Sequence, residues 1–243
     1  MEKLNLFCLP YAGAASSIYL KWIKYLNPSI NLIPIELAGR GKRLNEPFYT
    51  SVEHAVEDIY QRIESHIDET PFALFGHSMG SLLAYECSHK IFSCKKKLPK
   101  VLFLSGKNPP NKATINKTTT KMIHNLSDKE FVNALISFGG TPNEVTQNED
   151  LLNILLPILR ADFKIIETYK HKEKKDILEC DFVVLNGKQD NLTTIEEMKK
   201  WSKYTKRRCE IYNFDGGHFF IVDEVKAVLD LINKRLSCIV NTM

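Results

Sequence analysis

Residues 76–80 carry the sequence G-H-S-M-G, which places Ser78 between two glycines. An apolar run, Phe72–Phe75, precedes this pattern, and a stretch that favours a helix follows it. Such a context predicts a strand, a tight turn and a helix, the arrangement that exposes a nucleophilic serine. The glycines would let neighbouring backbone approach a strained turn closely. The chemistry open to such a serine is acyl transfer through a covalent intermediate.

A serine hydroxyl is a weak nucleophile, so it needs a base within hydrogen-bond reach and an acid that orients this base. In hydrolases built on parallel sheets, the chain order is serine, then Asp or Glu, then histidine. His218 follows the apolar run Cys209–Phe214 in a glycine loop, at the strand end where open α/β sheets present ligands. We therefore expect His218 to be the base. His54 and His66 precede the serine, and His77 adjoins it and should point away from the site. His89 is too far along the following helix to reach back, and a surface position is expected for His124 and His171.

Two aspartates compete for the role of the acid. Asp190 ends the segment Asn186-Gly187-Lys188-Gln189-Asp190, just after the penultimate apolar run, and is our preferred acid. Asp215 is the alternative, because it lies three residues before His218, although aspartate in so tight a loop more often caps a turn. Asp181 is expected to begin a strand, and Asp223 to cap the last helix.

The oxyanion that forms on attack needs donors that already point at it, and these are typically backbone amides. The turn itself supplies the amide of Met79, the residue after the serine. The second amide should come from the loop after the first strand, Pro10–Ala15, and its small residues point to Ala12.

Short apolar runs alternate with stretches of helical period along the chain. Apolar runs separated by helices indicate a parallel sheet covered on both faces, so we predict an α/β fold with a doubly wound, mostly parallel sheet. The predicted strands are Asn5–Leu9, Asn31–Ile35, Phe72–Phe75, Val101–Ser105, Phe182–Asn186 and Cys209–Phe214. The predicted helices are Ser16–Leu26, Val52–Ile67, Ser78–Phe92, Ile195–Tyr204 and Asp223–Leu236.

One long connection, at about residues 107–179, contains no convincing strand. It opens with a polar loop, Asn108–Lys117, and Ser127-Asp128-Lys129-Glu130 then forms a capping box for a helix that Gly139-Gly140 should end. A second helical stretch follows at Leu151–Tyr169, and Pro157 should kink or split it. We predict one domain over residues 1–243, with this connection as a helical lid; the alternative is a subdomain that only packs.

Composition excludes several classes of protein. The chain has 243 residues, 44% of them hydrophobic, and a net charge of +4, so we expect neither a nucleic-acid nor a membrane partner. The six cysteines show no paired spacing, which favours free thiols, no metal site and a cytoplasmic location.

Taken together, these residues resemble the type II thioesterases that accompany nonribosomal peptide and polyketide synthetases, which are α/β-hydrolases. Ala38 stands where the family usually has proline, and Ala14 where glycine is common. Besides the serine turn, the resemblance rests on Pro10–Gly13, Leu37–Gly41 with Arg43, Phe138–Pro142, Leu156–Asp162, Gly187–Asp190 and Gly217–Phe219.

The resemblance implies a repair hydrolase that removes aberrant acyl or aminoacyl groups from the phosphopantetheine thiol of carrier proteins. It implies no metal or bound cofactor, since the carrier brings the phosphopantetheine, and we expect a monomer. Spacing and period alone support only serine acyl hydrolysis. A thioesterase for fatty-acid synthase or acyl-CoA, a small-molecule carboxylesterase and an inactive binding module remain alternatives.

Overall fold

The strands are continuous apolar runs because both of their faces are buried. In the computed structural model, which describes residues 3–110, 122–139 and 148–240, six strands form one sheet in the order β2-β1-β3-β4-β5-β6. Every neighbouring pair is parallel, so the predicted doubly wound sheet is confirmed. The strands are β1 Leu4–Leu9, β2 Ile30–Pro34, β3 Phe72–His77, β4 Val101–Ser105, β5 Asp181–Gly187 and β6 Cys209–Phe214.

Alternate residues of the strands enter two different cores, one on each face of the sheet. Phe7 and Leu74 pack with the helices that follow β2 and β3, whereas Leu6 and Phe75 pack against the first and last helical segments. The α-helices in the described residues are α1 Val52–Ile63, α2 Met79–Lys95, α3 Asp128–Ser137, α4 Glu149–Thr168, α5 Ile195–Met198, α6 Phe220–Asp223 and α7 Val225–Val240.

Four predicted helices differ from the observed ones. The predicted helix Val52–Ile67 is α-helical over Val52–Ile63 and continues as a 3₁₀ helix at Glu64–His66. Ser16–Trp22 is a 3₁₀ helix, and its buried Tyr19 and Trp22 are three residues apart, the period of that helix. The predicted helix 195–204 is α-helical only over α5 and continues as a 3₁₀ helix. Asp223 does not cap the last helix, because it is the final residue of α6 and α7 begins at Val225.

The connection between β4 and β5 carries α3 and α4, which pack on one another around Phe131 and Leu159. The predicted capping box is present at Ser127 and Glu130. Helix α4 runs unbroken through Pro157, so this proline does not split it, and a kink there stays a prediction. Most of the expected loop Asn108–Lys117, from residue 111 onward, and the stretch from Gly140 to Pro142 lie outside the described residues.

In the described part of the chain, none of the helices combines the length and the apolar character needed to span a bilayer.

Candidate active site

Ser78 occupies the sharp turn between β3 and α2, with a left-handed φ of +53° that a non-glycine residue rarely adopts. The flanking glycines make this turn possible. A Cβ atom at Gly76 would lie 2.0 Å from the Gly80 carbonyl oxygen, and one at Gly80 would lie 2.1 Å from the Leu9 carbonyl oxygen. Any larger residue at either position would push the turn away from β1 and from α2.

Hydrogen bonds to β4 hold the turn in place. The Ser78 amide donates to the Ser105 carbonyl oxygen at 2.8 Å. The Ser81 hydroxyl lies 2.7 Å from the Gly76 carbonyl oxygen and accepts a hydrogen bond from the Ser105 amide at 2.9 Å. The strained backbone of Ser78 is therefore fixed by its surroundings, as expected for a residue kept in an unfavourable conformation.

Asp190 and His218 meet at the carboxyl ends of β5 and β6. Asp190 Oδ2 lies 2.8 Å from His218 Nδ1, and their side chains are only 0% and 5% exposed. The second oxygen, Oδ1, accepts a hydrogen bond from the Leu192 amide at 2.8 Å. The carboxylate is thus fixed in orientation, so it can hold one tautomer and one position of the imidazole ring.

The two loops can meet because Gly187 and Gly217 lie against each other. A Cβ atom at Gly187 would be 2.2 Å from the Gly217 carbonyl oxygen. Asp215, the alternative acid, has a different partner. Its side chain is 72% exposed and pairs with Lys188 at 2.6 Å.

His77 was expected to point away from the site, but its ring lies 5.0 Å from the ring of His218, measured between centroids. Its Nδ1 is 2.8 Å from the Ser105 hydroxyl. Complete burial and the neighbouring His218 hold the pKa of His77 well below its usual value. A neutral His77 supports the His218 ring by packing without placing a second positive charge beside it. The sequence offered no signal for this contact.

Two amides in the loop after β1 already have acceptors within the protein. The Gly13 amide donates to Asp162 Oδ2 at 2.8 Å, and the Ala14 amide donates to the Tyr11 carbonyl oxygen at 3.1 Å. Ala12, whose amide we predict to serve the oxyanion, directly precedes Gly13 and lines the same cavity as Ser78. Met79 is the first residue of α2, where an amide has no acceptor within the helix.

A cavity of about 220 Å³ contains Ser78, His218 and Ala12 in its lining. Its remaining walls are mostly apolar and come largely from the β4–β5 connection. These apolar residues are Ala14, Ile18, Ile123, Leu135, Phe138, Leu155, Leu159, Phe163, Ile166, Leu192 and Phe219. An acyl chain attached to Ser78 would therefore lie against α3 and α4.

Two charged residues also line this cavity, and sequence reasoning assigned neither of them. Burial lowers the pKa of Lys107 to about 8. Glu167 Oε2 lies 2.5 Å from His124 Nδ1. His124 was expected on the surface, but its side chain is only 10% exposed because this carboxylate holds it.

The described residues contain no cluster of three or more His, Cys, Asp and Glu side chains that could hold a metal ion. The groups gathered at the cavity are a serine on a strained turn, a histidine oriented by a carboxylate, and backbone amides. This set has the parts needed for acyl transfer.

The parallel sheet and the strand–serine–helix turn after β3 define the α/β-hydrolase fold. A family model described as a thioesterase domain matches residues 4–236. The chain therefore belongs to the thioesterase family and is a hydrolase.

Named proteins of peptide and polyketide pathways are similar to this chain. The chain is 35% identical over 234 residues to linear gramicidin dehydrogenase LgrE of Brevibacillus parabrevis, covering 95% of this chain and 87% of LgrE. ClbQ from the colibactin NRPS/PKS pathway superposes with a TM-score of 0.93 and 33% identity, covering 100% of both chains. The type II thioesterase BorB from the borrelidin biosynthetic cluster superposes with a TM-score of 0.85 and 29% identity, covering 96% of this chain and 93% of BorB.

LgrE is named a dehydrogenase, but the sequence of this chain does not contain the glycine pattern of a dinucleotide-binding site. A dinucleotide-binding fingerprint needs G-x-G-x-x-G. Gly39 and Gly41 supply the first two glycines of such a pattern, but Leu44 stands in the third position.

Proposed function

We propose that this enzyme is a type II thioesterase that hydrolyses aberrant acyl or aminoacyl thioesters on the phosphopantetheine arm of carrier proteins, which frees stalled synthetases. The observation that carries the proposal is the shared cavity of Ser78 and His218, with Asp190 bonded to the far side of the imidazole. The likeness to ClbQ and BorB supports the assignment to a synthetase pathway.

The first half of the reaction forms an acyl-enzyme. The Ser78 oxygen attacks the thioester carbonyl carbon while His218 Nε2 takes the hydroxyl proton, and Asp190 stabilises the imidazolium. The tetrahedral intermediate then expels the carrier thiolate, which receives the proton from His218. In the second half, His218 removes a proton from water as the water oxygen attacks the acyl carbon. The second tetrahedral intermediate then expels the Ser78 oxygen, which takes the proton from His218, and the carboxylic acid is released.

Negative charge develops on the carbonyl oxygen in both halves. The amides of Met79 and Ala12 would donate to this oxygen. The N-terminus of α2, directly after Ser78, adds the positive end of a helix dipole. The proposed reaction needs no cofactor bound to the enzyme, since the carrier protein brings the phosphopantetheine.

The size of the cavity favours a short acyl group. At about 220 Å³, the cavity is smaller than the roughly 300–1,000 Å³ of pockets for drug-sized ligands. A single acyl or aminoacyl unit fits this space better than a finished peptide or polyketide. Removal of small, wrongly loaded groups is therefore the activity that we expect.

We also propose that residues 1–243 form one domain in which the β4–β5 connection, at about 107–179, acts as a lid. The walls that α3 and α4 give to the cavity support this role. We expect a monomer that works in the cytoplasm, and six cysteines without a disulfide fit a reducing compartment.

Steady-state hydrolysis of matched substrates tests the proposal. The same short acyl group is offered on a carrier protein, on free coenzyme A and as an oxygen ester, with Ser78→Ala as the control. We expect kcat/KM to be highest for the acylated carrier and all turnover to disappear in the variant. A clear preference for acyl-CoA or for the oxygen ester would contradict the carrier substrate, and turnover by Ser78→Ala would contradict the mechanism.

A further inference from the structure

Two segments that carry the family resemblance, Leu37–Gly41 and Leu156–Asp162, have no role in the chemistry above, yet they meet in the fold. Arg40 of the first segment forms a bidentate ion pair with Asp162 of the second. The distances are 2.6 Å from Nη1 to Oδ2 and 2.7 Å from Nη2 to Oδ1. The two side chains are 3% and 2% exposed. A buried ion pair is often no more stabilising than apolar residues of the same volume, so stability alone does not account for this pair.

Asp162 has a third partner, which lies in the proposed oxyanion loop. Its Oδ2 atom accepts the hydrogen bond from the Gly13 amide at 2.8 Å. Arg40 Nη1 in turn lies 3.4 Å from the Ala14 carbonyl oxygen. The ion pair therefore contacts two backbone groups directly after Ala12, which are the amide of Gly13 and the carbonyl oxygen of Ala14.

Helix α4, which carries Asp162, also rests directly on this loop. Gly13 has a φ of +80°, and a Cβ atom there would lie 2.5 Å from Leu159 Cδ2. At the other end of the loop, the Ser16 amide donates to Glu36 Oε1 at 2.8 Å. The loop is thus held at Ser16 from the β2 side and at Gly13 from α4.

We propose that Asp162, oriented by Arg40, is a positioning residue for the oxyanion hole. By holding the Gly13 amide, Asp162 fixes the loop so that the neighbouring Ala12 amide points at the reacting oxygen. The inference rests on the proposed function, because it takes the Ala12 amide to be a donor to the oxyanion. Since Asp162 lies on the helix that also lines the acyl cavity, the oxyanion hole is complete only when α4 is seated.

The decisive variant removes both charges and keeps the volume. In Arg40→Met/Asp162→Leu no buried charge is left without a partner, so the double variant should fold. It still lacks the acceptor for Gly13. Loss of one oxyanion donor typically costs about 10²–10³-fold in kcat, and a misdirected donor should cost part of this, about 10–100-fold. KM for an acylated carrier should change less than about threefold, and the pH profile should keep its acid limb, because Asp190 and His218 are untouched.

The control is Asp128→Asn. It breaks the ion pair between Asp128 of α3 and Arg160 of α4, the helix that also carries Asp162. That aspartate is 76% exposed and 2.5 Å from the guanidinium, so kcat should stay within about twofold of the wild-type value. Arg40→Leu/Asp162→Ala is the second test, because it also leaves no buried charge without a partner, offers no acceptor to the Gly13 amide and places smaller side chains at both positions. We expect it to lower kcat in the same direction as the first double variant.

Steady-state kinetics, thermal unfolding and the affinity for a trifluoromethyl ketone analogue of the acyl carrier are measured for all variants. The inference is supported if kcat and affinity for the analogue fall together in the folded double variant while KM holds. It is overturned if the first double variant, or Arg40→Leu/Asp162→Ala should the first not fold, keeps wild-type kcat and analogue affinity. Turnover that survives in Ser78→Ala would instead refute the proposed function itself, so the two failures are distinct.

Discussion

Replacement of Asp190 by Asn should nearly abolish turnover, whereas the same change at Asp215 should not. Asp190 Oδ1 accepts from the Leu192 amide, and Oδ2 faces His218 Nδ1. An asparagine that keeps its oxygen toward the Leu192 amide must turn its amide group toward His218. Nδ1 then has to accept a hydrogen bond, so the proton of the neutral ring moves to Nε2. The imidazole would thus face Ser78 as a donor and could not act as its base.

Loss of the correct tautomer costs about 10⁴-fold in kcat in a Ser-His-Asp triad, which corresponds to about 5 kcal/mol. We expect a loss of this order in Asp190→Asn. Asp215→Asn removes only the exposed pair with Lys188, and such surface pairs contribute about 0–1 kcal/mol to stability. Its kcat should stay within about twofold of the wild-type value.

The assay follows release of the carrier thiol from a short acyl carrier with a thiol reagent, for both variants and the wild type. Thermal unfolding of each variant checks that the fold is kept. A large loss in Asp215→Asn together with a small loss in Asp190→Asn would refute the assignment of the acid.

Three further changes test the turn, the cavity and the half-buried His89. Gly80→Ala would place a Cβ atom 2.1 Å from the Leu9 carbonyl oxygen, so denaturant unfolding should show a loss of stability of about 1–3 kcal/mol or more, and wild-type stability would argue against this packing. Leu155→Phe should narrow the cavity, so kcat/KM should fall more for a longer acyl group than for acetyl in competition assays; an equal fall would place the acyl chain elsewhere. Burial lowers the pKa of His89 to about 4 from an unfolded value of 6.5, so the unfolded chain binds more protons between these values. The free energy of unfolding should therefore decline as the pH drops from 6.5 to 4, and His89→Leu should remove this part of the decline in urea titrations.

The parallel sheet and the alternation of strands and helices along the chain could be predicted from the sequence. Strands buried on both faces are continuous runs of apolar residues, and such runs are easy to recognise. The loops that carry Ser78, Asp190 and His218 were also found, since each follows such a strand and parallel strands end at one edge of the sheet. The assignment of these residues to catalysis, like that of Met79 and Ala12, stays a prediction.

Side-chain pairing across long stretches of chain could not be predicted in this way. Arg40 and Asp162 are 122 residues apart, and nothing in the local pattern around either residue indicates the other. His124 was expected on the surface because its own segment gives no sign of Glu167. The 3₁₀ helix at Ser16–Trp22 was also missed, since its apolar spacing fits an α-helix nearly as well.

Stoichiometric labelling with a fluorophosphonate tests the central claim most directly. The reagent adds to a serine only when a base activates the hydroxyl. We predict one phosphonyl group per chain, found by mass spectrometry on the peptide that contains Ser78, absent in Ser78→Ala and formed far more slowly in His218→Ala. A label on another residue, or a labelling rate that His218→Ala leaves unchanged, would contradict the account.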